Sequence, residues 1–149
     1  AEQLITEWTA QGLDVATIKH AHHEFQADTP GKDSWRHRKA GARQVLVSSA
    51  IRSAHFVEHE TTEPELAQLL NRLLPCDLVL IEGFKREAVP KMEIFRAEVG
   101  KPHLYTKDNQ IIAVASDSKL TDCPLPVLDL NDIPTIADFV LQAVGLSSR

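Results

Sequence analysis

Three short stretches of this sequence place charged side chains immediately after apolar runs. Lys19-His20 follows VATI, Glu82-Gly83 follows LVLI, and Ser116-Asp117 follows IIAVA. In open α/β sheets the ligand lies beyond the carboxyl ends of the strands, so three such strand ends would converge on one rim. A cation, a carboxylate followed by glycine, and a second carboxylate suit a nucleoside triphosphate. Lysine offsets phosphate charge, a strand-end acid anchors Mg²⁺ directly or through water, and the other acid can read a base. Gly83 would let a phosphate approach the backbone closely. Each residue also has a plain structural reading. Glu82 could be a first solvated position, Lys19 a surface lysine, and Asp117 the acceptor of a turn. The convergence carries the expectation, not any one residue.

Further candidates lie between the first two rim segments. Asp33, in PGKDS, could open a helix at the positive end of its dipole, or face the rim and share Mg²⁺ with Glu82. His20, His22, His23 and Asp28 fall in an aperiodic stretch at 20–30. A structural zinc site is disfavoured, because no Cys or second His pair stands at zinc-ligand spacing. A loop histidine contacting a phosphate or another anion is the better reading. His37, His55, His59 and His103 belong to no constellation.

The elements that must position these residues read as alternating strands and helices. Ala1, Leu4, Ile5 and Trp8 carry a helical period that stops at Gly12, and 14–19 follows as a strand. Residues 32–42 are helix-like, while 44–49 and 54–58 read as strands. Thr62 with Glu65 forms a capping box, Pro64 sitting in the first turn, ahead of a stripe of Leu66, Leu69, Leu70, Leu73 and Leu74. The run 77–82 has the continuous apolar character of a strand covered on both faces. Strands at 92–96, 111–115 and 127–130 follow. Asn131 caps a closing helix with Ile133, Ile136, Ala137, Val140 and Val144 on one face, stopped by Gly145. The stretch 85–110 lacks helical periodicity and is a candidate hairpin excursion. The expected fold is α/β, a mostly parallel sheet covered by helices, in one domain over 1–149.

Composition bounds the function classes. The chain has 149 residues, 43% hydrophobic and 25% charged, which is globular composition. Sixteen basic against twenty-one acidic residues give a net charge of −5, which argues against wrapping long nucleic acid. No apolar run nears 18 residues and no secretory leader pattern is present, so the expectation is a cytoplasmic protein that does not enter a membrane. Cys76 and Cys123 make neither a disulfide framework nor a CxxC site.

One part of a nucleotide site is missing from the pattern. No GxxxxGK[ST] occurs: Gly31-Lys32 is followed by Asp, Gly100-Lys101 by Pro, and neither has a glycine five positions earlier. With a first helix that opens on an uncapped Ala1, the expectation is that a strand and phosphate loop lie upstream of it, making the chain N-terminally truncated.

Four ordered motifs, IKHAHH (18–23), PGKDSWRHRKAGA (30–42), LVLIEGFK (78–85) and IIAVASD (111–117), closely resemble the MobB family. These are molybdopterin-guanine dinucleotide biosynthesis proteins B, P-loop GTP-binding partners of the guanylyltransferase that finishes the bacterial molybdenum cofactor. The resemblance implies a GTP-binding, weakly GTP-hydrolysing accessory protein using Mg²⁺. It implies that Glu82 stands at the Walker B acid, that 20–28 is a switch segment, and that Asp117 reads guanine. A more distant likeness to dethiobiotin synthetase implies the same places for Lys19, Asp33 and Glu82. Asp28, His22 and His23 remain alternatives for assisting water attack. A homodimer is implied, with 85–110 as the candidate interface, and molybdopterin is a further candidate ligand. Two other readings stay open: a non-catalytic adaptor delivering nucleotide or cofactor to the guanylyltransferase, and a kinase or ligase acting on a small acid.

Overall fold

The first helix, α1 (Glu2–Ala10), ends where Gly12 takes a left-handed φ of +82°. Leu13 N–H then donates to Trp8 O at 3.1 Å, closing the helix and turning Leu13 into the core. The computed structural model describes residues 1–21, 25–60 and 62–147. After α1 come β1 (Val15–Lys19), α2 (Asp33–Lys39), β2 (Gln44–Ser48), β3 (Ser53–Val57), α3 (Leu66–Leu70) and β4 (Leu78–Glu82). Then follow β5 (Lys91–Phe95), a 3-10 turn (Ala97–Val99), β6 (Ile111–Ser116), β7 (Val127–Asp129) and α4 (Ile133–Ala143). No helix among the described residues is long and apolar enough to cross a membrane.

The described residues fall into two compact units, Ala1–Lys19 with those from Leu73 onward, and those of His20–Arg72. In the first, β1 pairs in parallel with β4, and β5, β6 and β7 form a parallel three-stranded sheet with β6 in the middle. The sheets are flanked by α1 and α4, which pack on each other. Trp8, Leu13, Leu78, Ala137 and Leu141 make one buried cluster, and the Trp8 indole N–H donates to Ala137 O at 3.3 Å. The second unit holds α2, α3 and an antiparallel hairpin of β2 and β3.

Several details differ from the sequence expectation. Strand β4 buries Leu78, leaving Val79, Leu80 and Ile81 half-buried, because β1 is its only sheet neighbour among the described residues. The strand covered on both faces is β6, flanked on either side, with Ala113, Val114 and Ala115 fully buried. The stretch 85–110 forms no antiparallel pair of its own among the described residues. Its strand β5 pairs in parallel with β6, and the antiparallel pairing among the described residues is that of β2 with β3. Helix α3 is capped one turn later than expected, with Glu65 extended and its N–H donating to Gln68 Oε1 at 3.0 Å. It stops at Leu70, so Leu74 lies outside the stripe and is exposed. Helix α4 is capped by Asp132, which accepts from Thr135 N–H at 3.2 Å, while Asn131 N–H donates to Asp129. Its buried row is Ile136, Ala137 and Leu141, and Val144 falls beyond the last turn, half-exposed.

Candidate functional site

The parallel pair β1–β4 is locked at its start. Asp14 N–H donates to Asp77 Oδ2 at 2.8 Å, and Asp77 N–H donates back to Asp14 O at 2.9 Å. That fixes the register through to the final partners, Lys19 and Glu82. A slip of one residue would turn one of the two to the other face. Register partners in neighbouring strands stand about 4.8 Å apart and share a face. An ammonium and a carboxylate are therefore set side by side at the carboxyl edge, both exposed, with no ion pair or hydrogen bond of either among the described residues.

Beyond Glu82 the chain turns through two successive left-handed residues, Gly83 (φ +92°) and Phe84 (φ +50°). A bulky residue rarely adopts a positive φ, and such strain persists only where the surroundings impose it. It falls directly after the candidate acid, where it redirects the backbone off the strand end. The same unit carries Asp117, exposed and one residue past β6. Its Oδ1 accepts from Ala97 N–H at 3.0 Å, tying the end of β6 to the 3-10 turn. Ser116 is buried, and its hydroxyl donates to Ser118 O at 2.8 Å.

The other candidates lie in the second unit or outside the described residues. Asp33 is the exposed first residue of α2. Asp28 is buried against Arg38, whose Nε donates to Oδ2 at 2.9 Å and Nη2 to Oδ1 at 2.7 Å. The remaining Arg38 donor, Nη1, bonds Glu58. Hydrogen bonds from Arg38 hold the Asp28 carboxyl below its ordinary range, against the opposing effect of burial. A carboxylate committed at both oxygens is a poor acceptor for a proton from water, so Arg38 gives Asp28 a bracing role at the end of its loop. His20 Nε2 lies 2.5 Å from Glu63 Oε1. His22 and His23 lie outside the described residues.

One buried acid escaped the sequence reading. Glu93, in the middle of β5, accepts from Leu104 N–H at 2.8 Å and Tyr105 N–H at 2.9 Å. It anchors the 96–106 connection. Its signal was a lone charge between apolar neighbours in KMEIF, which marks an acid with fixed donors. His103 stacks between Phe95 and Tyr105, with ring centroids 4.1 and 5.0 Å away.

Among the described residues no group of three or more His, Cys, Asp or Glu side chains is placed to hold a metal ion. The donor set at the β1–β4 edge is one carboxylate beside one ammonium. It fits a phosphate-bearing ligand that completes a hard cation's oxygen shell, since Mg²⁺ is commonly held by one or two carboxylates plus phosphates.

Parallel strands flanked by helices, with charged groups at the strand ends, define a P-loop-like α/β protein. Comparison with known proteins narrows the class. The family described as MobB, molybdopterin guanine dinucleotide synthesis protein B, matches residues 1–117. A molybdopterin-guanine dinucleotide biosynthesis adapter protein of Haemophilus influenzae is 44% identical over 93% of this chain and 78% of its own length. The Escherichia coli protein of the same name is 41% identical over 95% of this chain and 82% of its own. The crystal structure of Bacillus subtilis MobB superposes with a TM-score of 0.76 at 31% identity, covering 95% of this chain and 86% of that one. The chain belongs to the MobB family.

Proposed function

We propose that this chain is an adapter in molybdopterin guanine dinucleotide biosynthesis that binds GTP with Mg²⁺ at the β1–β4 edge and hydrolyses it slowly. The observation that carries the reading is the adjacency of Lys19 and Glu82, two opposite charges at the end of a parallel strand pair with no ion pair among the described residues. Two such groups gain by meeting a ligand that is itself anionic and cation-bearing. Bound Mg²⁺ would supply neutralisation of the phosphate charge. Lys19 would hold a phosphate oxygen, Glu82 would orient the cation's shell, and Gly83 would leave room for close approach. Asp33 would add a second carboxylate, and Asp117 would accept from the guanine N1–H and amino group. His22 and His23 are the proposed water-positioning groups. The protein partner is the guanylyltransferase that consumes GTP in this pathway, and molybdopterin is a further proposed ligand, met by a homodimer of this chain.

Calorimetric titration of the full chain with a non-hydrolysable GTP analogue tests the site. Glu82→Gln, Asp33→Asn and Lys19→Ala should each weaken Mg²⁺-dependent binding by about 1–3 kcal/mol, the range for charge-assisted contacts. Asp117→Asn should lose preference for GTP over ATP and gain affinity for XTP, whose 2-position carries an oxygen. Unchanged affinity in all four variants would return these residues to structural roles. The Haemophilus influenzae and Escherichia coli relatives are named adapter proteins, which supports a second reading, an adapter without turnover. Product analysis separates them: slow release of free phosphate supports hydrolysis, tight guanylyltransferase binding with no turnover supports the pure adapter, and a phosphorylated small acid overturns both.

A further inference from the structure

Loop 83–90 leaves the carboxyl edge of β4 and returns to the starting edge of β5, where it meets the turn before β6. Between them lies a shallow polar depression of about 440 Å³, lined by residues 85–88, 91 and 107–110. Lys91 forms its floor. The Lys91 ammonium donates to Glu87 O at 2.6 Å and to Asp108 Oδ2 at 3.1 Å. Asp108 is occupied on its other oxygen as well, accepting from Gln110 N–H at 2.9 Å. The backbone hydrogen bond from Gln110 and then that from Lys91 keep its carboxyl below the ordinary range.

Three further cations surround this neutralised floor. Glu87 N–H donates to Phe84 O at 3.0 Å, closing the turn that presents Lys85 and Arg86. Lys107 and Asp108 N–H both donate to Leu104 O, at 2.9 and 3.1 Å, closing the turn that presents Lys107. Lys85, Arg86 and Lys107 have no ion pair among the described residues. Four cations thus face two carboxylates, one of them already spent on Lys91, in a chain whose net charge is −5. Such local concentration of one sign in a concave surface focuses potential on an anion. The depression is small-molecule sized, and the Asn109 and Gln110 amides add neutral donors. Asp117 lies at the opposite end of β6, roughly 20 Å of strand away, so a group bound here is separate from one at that end.

We propose that this depression is a second anion site, which takes the phosphomonoester group of a small molecule. The dianion would sit over Lys91, with Arg86 forking two of its oxygens and Lys85 and Lys107 closing the sides. The residues that line it include neither Lys19 nor Glu82 nor Asp117.

The test is titration of the isotope-labelled full chain with inorganic phosphate, glycerol phosphate and a polyglutamate peptide, followed by amide NMR. Saturable shifts at 85–91 and 107–110 with both phosphates are expected. Arg86→Ala and Lys107→Ala should each raise the dissociation constant at least tenfold, whereas Lys107→Arg should bind close to wild type. Glu82→Gln should also leave it unchanged, so that loss of the β1–β4 site and loss of this one are told apart. Non-saturable shifts, wild-type binding by either alanine variant, or saturation by polyglutamate alone would each overturn the proposal.

Discussion

Both oxygens of the Asp28 carboxylate accept from the Arg38 guanidinium, so taking a proton from water would cost one of those bonds. The pairing has a pH signature. Asp28 is lowered from an ordinary 3.8, first through the Arg38 hydrogen bond. A carboxyl depressed on folding contributes stability that is fully present above its unfolded value and is lost as pH falls through the folded one. Asp108 acts in the same direction. Urea unfolding of the wild type should therefore show stability falling below about pH 4, the ordinary carboxylate range. Asp28→Asn should be less stable at pH 7 and lose less on going to pH 3. A variant with the wild-type slope would mean that the ion pair contributes nothing. The rim pair was legible in the sequence because a strand end follows an apolar run, and Lys19 and Glu82 each close one. The Asp28–Arg38 clamp was not, since a loop residue and a helix residue ten positions apart follow no period.

At the scale of elements, α1 and α4 hold the parallel pair by a small number of large contacts. Leu141 is 1% exposed within the cluster around Trp8 and Leu78. Leu141→Ala should cost about 2–5 kcal/mol, the range for truncating a buried leucine, measured as a shift in the urea midpoint with an unchanged slope. Val144→Ala, half-exposed beyond the helix, should change little. Equal costs would mean that the helix extends further than Ala143. The sequence period pointed to Ile133, Ile136, Ala137, Val140 and Val144, of which Ile136 and Ala137 are buried, whereas the burial continues to Leu141 rather than to Val144. Leu141 and Val144 both fit an apolar stripe, and Leu141 is the one that packs in the cluster with Trp8. The antiparallel hairpin was missed for a related reason. Its strands read correctly as β2 and β3, but the residues of β2 alone do not distinguish a parallel from an antiparallel partner; the short connection does, closed by Ser49 N–H donating to Arg52 O at 2.8 Å.

For the whole molecule, the two compact units differ in what protects their backbone. In the first, β6 has a strand on each side, and Ala113, Val114 and Ala115 are fully buried. In the second, β2 and β3 have only each other as sheet partners among the described residues, and Leu46 and Ile51 are 68% and 93% exposed. A two-stranded sheet is marginal in water, and local opening is easiest where buried apolar contacts are few. Native-state hydrogen exchange should therefore divide the chain along the unit boundary. The hydrogen-bonded amides of β6 should exchange only through the largest opening, with a free energy close to that of global unfolding. Those of the β2–β3 ladder should exchange through a smaller opening whose rate is insensitive to low urea, since little surface is exposed. Leu141→Ala should speed exchange in β6 while leaving the hairpin rates where they were, because the lost contact belongs to the first unit alone. If hairpin and β6 amides respond alike to urea and to Leu141→Ala, the chain opens as a single cooperative body, and the division into two units carries no energetic meaning.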